Sequence, residues 1–198
     1  MTSDDILDDV EEVETTLPRV LVIFAEGAEE AETVIIVDVL RRANIETVLA
    51  GLNGDQPVLA SRKVRIVPDI ALANVTGSFD IVVLPGGAEG ARRLAASELV
   101  GERLRKQASE GKLVAAICAG PLAFVSHQVF AGRSMTCHPS VASRIAMYGK
   151  LVQQPLVEDG NLITSQGPGT AFLFALTLVH KLVGQPRTGD VERGLILI

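Results

Sequence analysis

Cys118 is the residue of this sequence whose surroundings are best suited to chemistry. It follows five apolar residues, Leu113 to Ile117, and precedes the small-residue sequence AGP. Such an apolar run is typical of a strand buried on both faces, and the residues after it allow a tight turn into a helix. We therefore expect a nucleophile elbow whose sulfur is ionised at neutral pH by nearby N–H groups. A buried, inert cysteine is the alternative interpretation.

Two further segments are expected at the same edge of the sheet. Glu32 lies in the first turn of the helix after the first strand, and Gly86 and Gly87 follow the strand at 81–84. Ligands of open parallel sheets bind at the carboxyl ends of the strands, where these segments meet. Glu32 is the candidate acid–base residue, with a pKa raised beside the thiolate, although acids also favour helix N-termini generally. The N–H groups of Gly86, Gly87 and Ala119 are candidate oxyanion donors, and an ordinary glycine turn is the alternative.

His138 is the candidate base towards Cys118 or a substrate, with a purely structural histidine as the alternative. The chain has only three histidines and two cysteines and lacks a CxxC motif, so we expect no metal. The sequence SQGPGT at 165–170 matches neither Walker A nor GxGxxG. We therefore expect no cofactor, and we interpret SQGPGT as a turn and helix cap that lines the crevice.

The hydrophobic pattern predicts the elements that would position these residues. Strands are expected at 19–25, 47–52, 81–84 and 113–117, with a hairpin at 58–67, a short strand at 134–137 and two strands within 150–165. Helices are expected at 29–43, at 97–110, after Cys118 and at 169–183, and the tail beyond is ambiguous. Strands that alternate with helices predict an α/β fold whose parallel sheet is covered on both faces.

Composition limits the class of protein. The chain has 198 residues, 47% of them apolar, which suits one α/β domain at 18–198. No apolar run approaches the roughly 18 residues of a membrane span, and we see no secretory signal. Two cysteines do not make a disulfide framework, so a reducing cytoplasmic location is expected.

An acidic leader at 1–17 accounts for the formal net charge of −6. Seven of the 24 acidic residues lie in 4–14, and the remainder of the chain is nearly neutral, so nucleic acid and anionic membranes are not expected partners. The apolar residues Ile6, Val10, Val13 and Leu17 have helical spacing. The leader is either a solvated tail or a helix that docks on the body or on a partner.

Five motifs in order make the sequence recognisable: EGAEEAET (26–33), LPGG (84–87), AAICAGP (115–121), CHP (137–139) and TSQGPGT (164–170). Together they resemble the Parkinson disease deglycase family, the DJ-one branch of the PfpI superfamily, over residues 19 to 185. The resemblance implies a flavodoxin-like three-layer sandwich with a mostly parallel central sheet, assembled as a homodimer. It also implies that Cys118 is the reactive cysteine, Glu32 its carboxyl partner, Gly86 and Gly87 the glycine pair, and His138 the nearby histidine.

The resemblance implies a cofactor-independent glyoxalase and deglycase. Its substrates would be 2-oxoaldehydes, such as methylglyoxal and glyoxal, and their early adducts on protein, with a role in oxidative-stress protection. The alternative is a redox-sensing or chaperone protein in which Cys118 oxidises to a sulfinate without significant turnover. A cysteine peptidase is the third possibility. Arg62 would approach the cysteine pocket of a partner subunit, whereas Gln166 and Val67 depart from the family's arginine and interface cysteine.

Overall fold

Residues 17 to 197 are described by a computed structural model, and their apolar segments form a layered arrangement of strands and helices. The strands are β1 (Arg19–Phe24), β2 (Glu46–Gly51), β3 (Val58–Leu59), β4 (Arg65–Ile66), β5 (Ile70–Ala71), β6 (Ile81–Leu84), β7 (Leu113–Ile117), β8 (Ser134–Met135), β9 (Lys150–Leu151), β10 (Leu156–Asp159) and β11 (Leu162–Ser165). The helices are α1 (Glu30–Arg42), α2 (Ala88–Ala96), α3 (Glu98–Ser109), α4 (Leu122–His127), α5 (Ala142–Ala146) and α6 (Ala171–Leu195). Short 3-10 turns precede α5 and α6.

The main sheet has seven strands in the order β10-β11-β7-β6-β1-β2-β5. All neighbours run parallel except β10 and β11, which form an antiparallel hairpin. The strands β2, β1, β6, β7 and β11 follow the flavodoxin-like order. The chain therefore turns back between β1 and β6, and the carboxyl ends of β1, β6 and β7 lie side by side at one edge.

Alternate residues of the central strands pack into two cores. On β1, Val20 and Val22 join a cluster with residues of α1 and α6, whereas Leu21 and Ile23 join a cluster with residues of α2, α3 and α4. Both clusters are fully buried at these positions. This two-sided burial explains why the strands are continuously apolar, and it confirms the expected three-layer α/β sandwich.

Most predicted elements are confirmed, and the differences have local causes. The hairpin of β3 and β4 pairs Val58 with Ile66 in a separate two-stranded sheet. Helix α2 was missed because it begins directly after Gly87, which was interpreted only as part of a turn. Helix α6 continues beyond the predicted end at 183 because Gly184, with φ 77° and ψ 177°, kinks the helix without ending it. Pro186 then falls in the first turn of the second half, where its missing N–H costs little.

The acidic leader lies outside the described residues, apart from Leu17, and its predicted helical stripe stays a prediction. Between residues 17 and 197, no helix is both long enough and apolar enough to cross a membrane.

Candidate active site

Cys118 lies on a sharp bend immediately after β7. Its φ is 62°, a left-handed conformation that is unfavourable for a residue with a side chain. Two backbone hydrogen bonds hold it there: the Cys118 N–H donates to the Ser165 carbonyl at 2.9 Å, and the Cys118 carbonyl accepts the His138 N–H at 2.8 Å. Pro121 follows at the N-cap of α4. The predicted elbow is therefore confirmed.

Glu32 and Gly86 meet Cys118 at this bend. The Gly86 N–H donates to Glu32 Oε2 at 2.7 Å. A Cβ atom on Gly86 would lie 2.5 Å from Cys118 Cβ, 2.8 Å from Glu32 Oε2 and 2.9 Å from Cys118 Sγ. No real Cβ tolerates such contacts, so glycine at 86 is what allows the carboxyl group and the thiol to approach each other. The topology thus brings together three residues that are 32 and 54 positions apart in sequence.

The Glu32 side chain is completely buried, and this burial governs its charge. Burial raises the pKa of Glu32 to about 7, against the hydrogen bonds from Gly86 and Cys118 that lower it. The nearby charge of Glu29 raises it slightly further. Among residues 17–197, Glu32 Oε1 is buried and has no hydrogen-bond partner. The raised pKa predicted from the sequence is confirmed, and at neutral pH the carboxyl group can both donate and accept a proton.

The prediction that the Cys118 thiol is ionised at neutral pH is wrong. Burial raises the pKa of Cys118 to about 12, and the negative charge of Glu32 is the second cause. The backbone N–H groups of Gly87 and Ala119 act in the opposite direction and favour the thiolate. Helix α4 begins only at Leu122, so its N-terminus is not at the sulfur. Cys118 is 9% exposed, which leaves a small opening for a reactant.

The candidate oxyanion donors divide into two groups. The Gly86 N–H is occupied by Glu32, so its predicted role as an oxyanion donor is wrong and it instead orients the carboxyl group. The N–H groups of Gly87 and Ala119 both act on the Cys118 sulfur. Gly87 has φ 83°, and a Cβ there would lie 2.4 Å from the Gly27 carbonyl oxygen. A glycine is therefore required at 87 as well.

His138 is tied to Cys118 through its backbone, whereas its ring has another partner. The ring Nδ1 lies 2.8 Å from the Ser140 hydroxyl and accepts the Ser140 N–H at 3.2 Å. This N–H places the proton of the neutral ring on Nε2. The half-buried ring packs beside Gly167, where a Cβ would lie 3.6 Å from its Cδ2. The proposed base function of His138 stays a prediction.

Sequence reasoning placed Ser165 only within the SQGPGT turn that lines the crevice, without linking it to Cys118, and did not identify Ser140 as part of the site. Ser165 holds the Cys118 N–H through its backbone carbonyl, a role that any residue type could fill and that therefore leaves no compositional signal. Ser140 lies two residues after His138, and its N–H donates to His138 Nδ1 in a local side-chain turn of the kind that Asn, Asp, Ser and Thr commonly form.

Metal ligation finds no support in the part of the chain that the structure describes. Within 17 to 197, no three His, Cys, Asp or Glu side chains are grouped to hold an ion. Cys118 and Cys137 are both free, and they belong to core clusters on opposite faces of the sheet.

This chain is similar to known proteins in both its sequence and its fold. A model of the DJ-1/PfpI family matches residues 18–181. The Parkinson disease protein 7 homolog of Danio rerio is 47% identical over 183 residues, covering 90% of this chain and 97% of the relative. The glutathione-independent glyoxalase DJR-1.2 of Caenorhabditis elegans is 40% identical over 174 residues, covering 87% and 92%. The crystal structure of Drosophila melanogaster DJ-1beta superposes with a TM-score of 0.91 at 46% identity, covering 92% and 100%.

Proposed function

Because the chain belongs to the DJ-1/PfpI family, we propose that it is a glutathione-independent glyoxalase that acts on 2-oxoaldehydes through Cys118. The observation that carries the proposal is the buried Glu32 carboxyl group beside the Cys118 thiol on a strained elbow: one Cβ position on Gly86 lies 2.8 Å from Glu32 Oε2 and 2.9 Å from Cys118 Sγ. A relative of 40% identity that is named as a glutathione-independent glyoxalase supports this choice of reaction. Removal of early aldehyde adducts from proteins would use the same attack.

The first step is addition of Cys118 to the aldehyde carbon C1 of methylglyoxal or glyoxal. Since the thiol is neutral beside an ionised Glu32, the carboxylate accepts the thiol proton as the S–C1 bond forms. The N–H groups of Gly87 and Ala119 stabilise negative charge at sulfur before attack and are close enough to assist the C1 oxygen afterwards. Glu32 then returns the proton to that oxygen, and the product is a hemithioacetal.

The second step moves a proton from C1 to C2. Glu32 Oε1 has no hydrogen-bond partner in the described part of the chain, so it is suited to take the C1 proton, with formation of an enediol, and to deliver a proton to C2. The C1 hydroxyl proton passes to the C2 oxygen, which leaves a 2-hydroxyacyl thioester on Cys118. Water cleaves this thioester, restores the thiol and releases lactate from methylglyoxal or glycolate from glyoxal. His138 is proposed to assist through Nε2.

Turnover of methylglyoxal tests this proposal directly. Cys118→Ser and Glu32→Gln should each reduce lactate formation at least about a hundredfold, because the nucleophile or the acid–base group is lost. Cys137→Ser is the matched control, since Cys137 is also a buried free cysteine but belongs to the opposite core. It should retain wild-type turnover. A Cys118→Ser variant as fast as the wild type would show that the mechanism is wrong.

Redox sensing is the second candidate, and the same geometry favours it. Two equivalents of hydrogen peroxide would convert the Cys118 thiol to a sulfinate and release two waters. The Gly87 and Ala119 N–H groups and a protonated Glu32 could stabilise the sulfinate oxygens. Mass spectrometry after mild peroxide discriminates: selective addition of two oxygens at Cys118 in a protein that lacks aldehyde turnover would favour a sensing or chaperone role.

We also propose that two copies of the chain associate. Val34 on α1 and Val67 after β4 are 52% and 62% exposed and line a shallow groove of about 320 Å³. The apolar residues at 36–40 of α1 are mostly buried in the chain's own core, so the apolar surface that this helix offers to a second copy is at Val34. The hairpin arginine, Arg62, stays a predicted contact of the partner's site. A reducing cytoplasmic location is proposed because both thiols are unpaired.

A further inference from the structure

Ser165 is the residue that holds the strained elbow from behind. It is the last residue of β11, is completely buried and pairs with Ile117 of β7. Its carbonyl accepts the Cys118 N–H at 2.9 Å. A left-handed conformation in a residue with a side chain persists only where neighbouring groups fix it. Whatever fixes Ser165 therefore also fixes Cys118.

The hydroxyl group of Ser165 is part of a short hydrogen-bonded chain. Ser165 Oγ lies 2.8 Å from the Pro155 carbonyl oxygen and 2.7 Å from Thr170 Oγ1. Thr170 Oγ1 lies 2.9 Å from the Gly167 carbonyl oxygen and accepts the Gly167 N–H at 3.2 Å. The Ser165 and Thr170 hydroxyl groups have one hydrogen each for these three oxygen–oxygen contacts. In one arrangement Thr170 donates to Ser165 and Ser165 donates to the Pro155 carbonyl. In the other, Ser165 donates to Thr170 and Thr170 donates to the Gly167 carbonyl.

The far end of this chain reaches the wall of the site. Gly167 is buried and packs against the His138 ring: a Cβ atom added to Gly167 would lie 3.6 Å from His138 Cδ2. The hydroxyl pair thus connects the residue that holds Cys118 with the residue that lies against His138. We propose that Ser165 and Thr170 are positioning residues, whose paired hydroxyls fix the elbow and the Gly167 wall relative to each other. This inference rests on the proposed reactivity of Cys118.

The Ser165 and Thr170 hydroxyl groups affect the reactivity of Cys118 indirectly, through the position of its sulfur relative to nearby N–H groups. The N–H groups of Gly87 and Ala119 favour the Cys118 thiolate only while the elbow keeps the sulfur in place. If the Thr170 hydroxyl is removed, the Ser165 hydroxyl keeps only its bond to Pro155, and Gly167 loses both of its contacts with Thr170 Oγ1. The thiol should then ionise less readily, and Cys118 should react more slowly at a given pH.

Three variants separate positioning from general stability. Thr170→Val removes the hydroxyl at constant shape, and Thr170→Ser restores it. Thr177→Val is the control within α6, which begins directly after Thr170, because Thr177 Oγ1 donates to the Leu173 carbonyl at 2.8 Å away from the site. Ser165→Ala is the substitute if Thr170→Val does not fold, as judged by circular dichroism. Two quantities are measured: Cys118 alkylation by iodoacetamide from pH 6 to 9, located by peptide mass spectrometry, and kcat and KM for methylglyoxal.

Thr170→Val should lower the alkylation rate and kcat about tenfold, the size of one lost buried hydrogen bond, with KM within about twofold. Its alkylation profile should move to higher pH, Thr170→Ser should recover most of the loss, and Thr177→Val should match the wild type. The inference is overturned if Thr170→Val alkylates like Thr177→Val, or if Thr170→Ser is as slow as Thr170→Val. If the alkylation results hold while the wild type does not turn over methylglyoxal, the positioning pair stands and the proposed function fails.

Discussion

Replacement of Glu32 by glutamine should remove a pH dependence of folding stability that the wild type shows between pH 5 and pH 8. Burial raises the pKa of Glu32 from 4.5 to about 7, so the folded state binds this proton more tightly than the unfolded state. The stabilisation from this proton is complete below about pH 4.5 and disappears as the pH rises through 7. At 1.36 kcal/mol for each pH unit by which the pKa rises, the full stabilisation is about 3.4 kcal/mol, of which about 2.5 kcal/mol is lost between pH 5 and pH 8.

Glu30 provides the matched control, because it is a neighbouring, nearly buried carboxyl group with the opposite shift. Hydrogen bonds from its own backbone N–H, the Ser61 hydroxyl and the Arg62 N–H lower the pKa of Glu30, even though burial alone would raise it. Stability from Glu30 is present above about pH 4.5 and is lost only as the pH falls through its lower folded-state pKa. Glu30→Gln should therefore retain the wild-type fall between pH 5 and pH 8.

Urea unfolding at pH 5, 6, 7 and 8 measures the effect for the wild type and both variants. The histidines and the acidic leader are common to all three proteins, so the difference between the curves isolates Glu32. Between pH 5 and pH 8, the free energy of unfolding of the wild type and of Glu30→Gln should fall by about 2.5 kcal/mol more than that of Glu32→Gln. If Glu32→Gln has the same pH dependence as the wild type, Glu32 is ionised throughout and the assigned acid–base role is refuted.

Two further predictions concern packing and assembly. Gly86→Ala should lower the free energy of unfolding by about 1–3 kcal/mol, because its Cβ would overlap the thiol and carboxyl groups. Gly194→Ala, where an added Cβ on α6 meets no atom within 4 Å, should be neutral or stabilising by up to about 1 kcal/mol. Urea unfolding compares the two variants, and equal effects would contradict the packing argument. Val67→Glu should convert a dimer to a monomer, as measured by light scattering, because it places a charge in the groove lined by Val34 and Val67. Met147→Glu is the control, since Met147 is 82% exposed and lies outside this groove, and it should leave the dimer intact. An unchanged molecular mass for Val67→Glu would exclude this interface.

The bend at Cys118 and its closeness to Glu32 and Gly86 could be predicted from the sequence, because they follow from the order of strands and helices along the chain. The apolar run before Cys118 fixes a buried strand, and the parallel topology then brings Glu32 and the Gly86 loop to the same edge. Helix α2 and the kink at Gly184 were missed, because one glycine can end a turn, begin a helix or bend one. The choice among these depends on tertiary packing.

The ionisation of the thiol could not be predicted from local sequence. It depends on the depth of burial of Cys118 and on the distance to a carboxylate that comes from another strand-to-helix connection. The occupation of the Gly86 N–H by Glu32 likewise follows from three-dimensional contact. The residue types were informative about which groups meet, whereas burial decides which of them carries the proton.

Trapping of the covalent intermediate tests the central claim most directly. Wild-type protein would be quenched with acid during methylglyoxal turnover, digested at low pH, where a thioester persists, and mapped by mass spectrometry. We predict a mass increase corresponding to one 2-hydroxyacyl unit on the Cys118 peptide of the wild type. No such increase should occur on the Cys118 peptide of Glu32→Gln, which cannot move the C1 proton to C2, or on the Cys137 peptide. Steady lactate formation by a wild-type protein whose Cys118 never carries substrate would contradict the account.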